Sequence, residues 1–180
     1  ILGLLSLFVL GSCSADRDPK IASLKHAVEV ADSQLLDAAA ELDTTNCFPR
    51  SLMPKFRAVD AKDWTSGFFP GSLWQCYRFT GDEKLLAEAW KYTDRLEGIQ
   101  YYKGTHDLGF MVFCSFGQQM ETLHDQHSEE VIVEAAKSLI SRCDPRIGLI
   151  RSWDFGEWNY PVIIDNMMNL EMLFWASKHT

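Results

Sequence analysis

Residues 66–90 run Ser66-Gly-Phe-Phe-Pro-Gly-Ser-Leu-Trp-Gln-Cys-Tyr-Arg-Phe-Thr-Gly-Asp82-Glu-Lys-Leu-Leu-Ala-Glu-Ala-Trp90. The first half, Ser66–Phe79, is apolar on nearly every side of a helix. The second, Glu83–Glu97, carries Leu85/Leu86, Ala89/Trp90, Thr93 and Leu96 in one stripe and is polar elsewhere. Between them, Gly81 suits the left-handed residue that ends a helix, and Asp82 can accept a first-turn N–H of the next. The stretch is therefore a hairpin of unequal partners. A helix apolar all round has to be buried on all sides, so it lies inside a layer of amphipathic helices.

The same alternation extends along the chain. Ile21, Leu24, Ala27/Val28, Ala31 and Leu35 mark a long first helix over Pro19–Leu42, with Pro19 in the first turn where it is tolerated. Residues 43–64 contain two prolines and no usable period. Leu108–Leu123 and Ser128–Cys143 form a second pair, in which Ser128 followed by Glu129 and Glu130 has the character of a helix start. A loop rich in Trp, Gly and Asn (152–161) leads into Ile163–His179. No alternating strand pattern stands out. The expected fold is all-α, with helical hairpins whose inner members (66–79, 108–121, 163–178) and outer members (83–97, 128–143) make part of a toroid. Leu73–Asp82 and Leu173–Thr180 are similar stretches, and the second stops where the first continues into Gly-Asp. A fragment with an exposed apolar edge is expected.

Composition narrows the function. The 180 residues are 47% hydrophobic and 23% charged, which excludes a disordered or collagen-like chain. A net charge of -8 argues against a nucleic-acid partner, since phosphate neutralisation needs a basic surface. Six Trp, eleven Phe and five Tyr supply either extra core or stacking walls for sugars. Ile1–Leu10 is an apolar run followed by Gly11-Ser12-Cys13, and Leu10–Cys13 resembles a bacterial lipobox. On that reading residues 1–12 are a partial lipoprotein signal peptide, Cys13 takes the lipid, 13–18 form a tether, and 19–180 fold. The expected location is the periplasm or outer membrane, lipid-anchored, with the membrane reached only through that anchor. Cys47, Cys76, Cys114 and Cys143 lack the spacing of a structural zinc site. Cys76 and Cys114 have the setting of core thiols, and a disulfide stays open.

The segments before the inner helices carry the candidate chemistry. They are Lys62-Asp63-Trp64-Thr65-Ser66-Gly67, Gly104-Thr105-His106-Asp107-Leu108-Gly109 and Ile163-Ile164-Asp165-Asn166. Parallel inner helices would gather Trp64, Asp107 and Asp165 at one mouth. Both aspartates sit among apolar residues, where a carboxylate needs a partner or holds a raised pKa. The competing interpretation is that both are helix N-caps. The loop Trp153-Asp-Phe-Gly-Glu-Trp158 precedes the third segment. Trp153 and Trp158 are candidate pocket walls or core residues, and Arg151 is a candidate partner for a substrate carboxylate or sulfate. His124-Asp125-Gln126-His127 supplies only part of a metal shell, so no metal is expected.

Together, Trp64-Thr-Ser-Gly-Phe-Phe-Pro-Gly-Ser-Leu-Trp74, His106-Asp107-Leu-Gly-Phe110 and Ile164-Asp165-Asn166-Met-Met-Asn169-Leu resemble glycoside hydrolase family 88, the unsaturated glucuronyl hydrolases. The likeness runs from about residue 20 to the end and corresponds to the N-terminal half of that family's (α/α)6 barrel. It implies a substrate class: oligosaccharides ending in a 4,5-unsaturated uronic acid, left by polysaccharide lyases. It also implies a mechanism, hydration of the vinyl ether, to which the carboxylate-separation rule of ordinary glycosidases does not apply. Asp165 would be the general acid/base, and Asp107 would bind substrate hydroxyls and hold the protonation state of Asp165. His106 and Trp64 would line the pocket. No cofactor or metal is implied. Half a barrel cannot close its pocket, so activity is expected of a longer protein. The alternatives are an unsaturated rhamnogalacturonyl hydrolase acting on pectin fragments and a non-catalytic glycan-binding lipoprotein.

Overall fold

The computed structural model describes residues 19–52 and 55–180. The signal segment 1–12, Cys13 and the tether 13–18 lie outside the described residues. Among the described residues six α-helices carry the fold: α1 (Pro19–Glu41), α2 (Phe68–Thr80), α3 (Glu83–Asp94), α4 (Phe116–Leu123), α5 (Gln126–Ile140) and α6 (Asn166–His179). A 3-10 turn spans Ile99–Tyr101 and a π-helical turn spans Gly109–Phe113. No described helix is long and apolar enough to cross a membrane.

The α2–α3 hairpin forms for the reasons its sequence supplies. Gly81 takes φ 71° and its N–H returns to the carbonyl of Tyr77, while Asp82 accepts the N–H of Lys84 at 2.8 Å. Trp74 is fully buried, and its indole N–H donates to Thr93 Oγ1 at 2.9 Å, tying the inner helix to the outer one. Burying a ring of this kind removes about 150–250 Å² from water, roughly 4–6 kcal/mol before chain entropy is charged against it. Leu73, Leu85, Tyr92, Leu96, Leu108, Met111, Ile132, Leu139 and Met172 continue one core through all the hairpins. Burial pushes the Cys76 and Cys114 thiols up to about 11. Cys76 is buried and Cys114 half-buried, and the four described cysteines are free.

Several boundaries differ from the sequence expectation. Two short antiparallel ladders appear where no strand pattern was visible: β1 (Phe48–Ser51) with β2 (Arg57–Val59), and β3 (Cys143–Asp144) with β4 (Leu149–Ile150). Strands of two to four residues are too short for alternation to register. Asp125, not Ser128, caps α5: its Oδ2 accepts both the N–H and the hydroxyl of Ser128, at 2.9 and 2.7 Å, so the helix begins at Gln126. The helix expected over 108–123 is divided into the π turn and α4. The outer helix expected to reach Glu97 ends at Asp94, and α6 begins at Asn166, after Ile163.

The inner helices are not equally covered. On α2, Phe69, Leu73, Trp74 and Cys76 are buried and Phe79 is exposed. On α6 only Asn166, Asn169, Met172 and Ala176 are buried, and Met167, Met168 and Phe174 face solvent. The apolar edge anticipated from the sequence lies on this helix.

Candidate active site

Ser152 joins three segments. It is fully buried, its carbonyl accepts the N–H of His106 at 2.9 Å, and its N–H donates to the Pro161 carbonyl at 2.8 Å. Its hydroxyl accepts the Ile163 N–H at 3.2 Å. The 104–106 segment, the aromatic loop and the entry to α6 are thereby held in one register, reinforced by a bridge between Thr105 and Trp153. Behind them, the Arg142 side chain is only 6% exposed. It donates to the carbonyls of Arg151 (2.8 Å) and Lys103, and to both oxygens of Asp154 at 2.9 and 3.3 Å.

This frame brings His106, Asp107 and Asp165 together. His106 is almost completely buried, and its Nε2 lies 3.3 Å from Asp107 Oδ1 and 3.6 Å from Asp165 Oδ1. One imidazole edge therefore faces both carboxylates. Neither Asp is a capping group: Asp165 occupies the N-cap position of α6 without a side-chain capping bond, and Asp107 precedes the π turn. Their environments differ. Asp107 accepts a hydrogen bond from the Thr105 hydroxyl and is sheltered, with 16% of its side chain exposed, against 41% for Asp165. Asp165 turns Oδ1 into the protein without a hydrogen-bond partner. Burial pushes the Asp107 carboxyl above the ordinary carboxylate range. Thr105, His106 and the more distant Arg142 pull it down, and the negative charge of Asp165 pushes it further up.

Two groups of aromatic rings sit on the neighbouring segments. Trp64 packs against Phe68 and Phe110 at 5.9 and 5.8 Å, and the Arg50 guanidinium lies 5.5 Å from its ring. Asp63 fixes this segment by accepting from the N–H and hydroxyl of Thr65 and from Arg50. Gly67 and Gly71 explain the small residues of that motif. A Cβ would lie 2.2 Å from the Phe110 carbonyl at the first and 2.3 Å from that of Cys114 at the second. In the aromatic loop, Trp153 stands edge-on to His106 at 6.5 Å, with Phe155 stacked on it and Trp158 edge-on at 6.2 Å. Trp153 is thus next to the imidazole, and Trp158 is one ring further away.

Arg151 is engaged with Asp154 at 3.2 Å. His127 pairs with Glu97, and His124 ends α4 in the left-handed conformation, so the 124–127 stretch caps two helices. Among the described residues, the donor atoms of His106, Asp107 and Asp165 lie within 4.8 Å of one another. Nothing in the residue pattern singles out Ser152 or Arg142, because their partners, backbone groups and the Asp154 carboxylate, are distant in sequence. Asn169 carried a faint signal, an amide inside an apolar helix.

No family model matches the chain. Over 139 residues it is 49% identical to an unsaturated glucuronyl hydrolase of Formosa agariphila, covering 74% of this chain and 35% of that protein. It is 33% identical over 133 residues to an unsaturated chondroitin disaccharide hydrolase of Streptococcus pyogenes, covering 70% of this chain and 33% of that protein. The crystal structure of an unsaturated glucuronyl hydrolase specific for heparin superposes with a TM-score of 0.76 at 42% identity, over 84% of this chain and 42% of that chain. The chain thus spans about a third of the length of the curated relatives it matches.

Proposed function

The chain belongs to glycoside hydrolase family 88, the unsaturated glucuronyl hydrolases, its hairpins matching part of the six-hairpin fold, and from that premise we propose that the longer protein carrying it removes a 4,5-unsaturated uronic acid from lyase-generated glycosaminoglycan oligosaccharides. Asp165, the more open carboxyl, delivers a proton to the alkene carbon C4. Positive charge then develops on C5 and the ring oxygen. Water adds at C5 and returns its proton to Asp165, and the hemiketal opens and releases the remaining sugar. One water is consumed, one glycosidic bond is broken, and Asp165 ends as it began. Asp107 holds substrate hydroxyls beside it. Trp64 and Trp153 form pocket walls, with Trp158 behind Trp153.

The observation that carries this reading is the sharing of His106 Nε2 between two carboxyls of unequal exposure. The test is loss of the alkene absorbance when full-length protein meets unsaturated chondroitin, heparin and rhamnogalacturonan disaccharides. The glucuronyl substrates are expected to turn over. Preference for the rhamnogalacturonan product would move the activity to pectin fragments, and binding without absorbance loss would leave a glycan-binding lipoprotein.

The lipobox-like Leu10–Cys13 supports export and anchoring at the periplasmic or outer-membrane face through Cys13. Metabolic labelling with a fatty acid is expected to mark the wild type and spare Cys13→Ser; equal labelling of both would refute the anchor.

A further inference from the structure

We propose that Asn169 is a positioning residue that sets the spacing between Asp107 and Asp165, acting as a buried clamp between the two segments that bear them. The proposal rests on the catalytic reading of that pair. Asn169 lies one turn into α6, is fully buried, and interrupts an otherwise apolar stretch. A buried amide without partners is costly, so its hydrogen bonds identify what it is there to hold. Its Oδ1 accepts the backbone N–H of Phe110 at 3.0 Å, three residues after Asp107. Its Nδ2 points to the backbone carbonyl of Asp165 itself, at 3.4 Å.

The backbone after Asp107 is shaped around this contact. In an α-helix the N–H of Phe110 would bond the carbonyl of His106. Here that N–H goes to Asn169, and the chain runs as the π turn Gly109–Phe113 before α4 begins. Gly109 lets the two backbones touch: a Cβ there would lie 2.6 Å from Asn169 Cα and 2.7 Å from its Oδ1. One amide and one glycine therefore fix how α6 approaches the turn, and with it the 3.3 and 3.6 Å at which the two carboxyls share His106. Displacements of about 1 Å at reacting groups cost on the order of 10²-fold in rate.

Two independent lesions test this in the full-length protein. Asn169→Asp keeps the acceptor and sets an oxygen against the Asp165 carbonyl. Gly109→Ala leaves Asn169 in place and forces the backbones apart. Thr93→Val is the control, since it removes an equally buried hydrogen bond to Trp74 with no path to the carboxyls. Asn169→Asp and Gly109→Ala are expected to lower kcat about 10²-fold with KM within about threefold of wild type. Thr93→Val should lower Tm alone. The groups facing Asp107 are Thr105, His106, Asp165 and Arg142. Separating it from Asp165 in Gly109→Ala should therefore move its carboxyl titration, followed by carbon NMR, down toward the ordinary range, whereas the carboxylate added in Asn169→Asp itself pushes that titration up. Folded variants with wild-type kcat and an unmoved Asp107 titration would overturn the proposal. Should either lesion prevent folding, Asn169→Ser gives the same two readings. A wild type that turns over no unsaturated sugar would sink the catalytic reading, while the Asp107 titration would still decide the role of Asn169.

Discussion

Asp165→Asn in the full-length protein is expected to lower kcat on unsaturated disaccharides about 10³-fold and to leave KM within a few-fold. General acid–base groups contribute typically ~10²–10⁴ to rate, and in this scheme one group moves both protons. The substitution is nearly isosteric. Asp165 makes no side-chain capping bond in α6, and its Oδ1 has no hydrogen-bond partner to lose, so the amide should leave the helix start intact. Loss of rate with retained binding would identify a group used in the transition state rather than in ground-state recognition. Turnover within tenfold of wild type, followed by the alkene absorbance, would remove Asp165 from the acid/base role.

Asp107→Asn should separate function from stability. Activity is expected to fall about 10²-fold, since Asp107 lies beside the same imidazole edge as Asp165 and is placed to hold the substrate hydroxyls. Stability should move the other way at neutral pH. The Asp107 carboxyl is raised in the folded protein, chiefly by burial and further by Asp165. A raised carboxyl contributes its stability below the unfolded pKa of ~3.9, and that contribution is lost as pH rises through the folded pKa. At pH 7 the ionised Asp107 therefore opposes folding, and the amide relieves that cost while still able to accept from Thr105. Thermal unfolding should show a higher Tm for the variant at pH 7, with the gain shrinking as pH falls toward 4. A lower Tm at pH 7 would mean that His106, Thr105 and Arg142 outweigh burial at this carboxyl.

The hairpin architecture was legible because each part of it is local. Gly81 and Asp82 act within four residues of themselves, and the stripe on α3 is a property of one helix. The Asp125 cap of α5 was within reach of the same reasoning, since it acts on Ser128 three residues later. Ser128 itself drew the assignment because its side chain belongs to the capping class, yet that side chain is a donor to Asp125. The two β-ladders are too short for any periodic signal, and their partners are set by the loops that connect them.

By itself the sequence determined that the chain is helical, that inner and outer helices alternate, and that two acidic segments, one aromatic loop and one Trp-bearing entry precede inner helices. These follow from periodicity and from capping chemistry, which act over one or two helical turns. Only the tertiary structure decided that the two aspartates share one imidazole edge, that neither caps a helix, and that their burial is unequal. Those outcomes depend on Ser152, Arg142 and Asn169, which make hydrogen bonds to partners 9 to 59 residues away. A bond of that span leaves no periodic trace, because its geometry exists only once the core has closed around it.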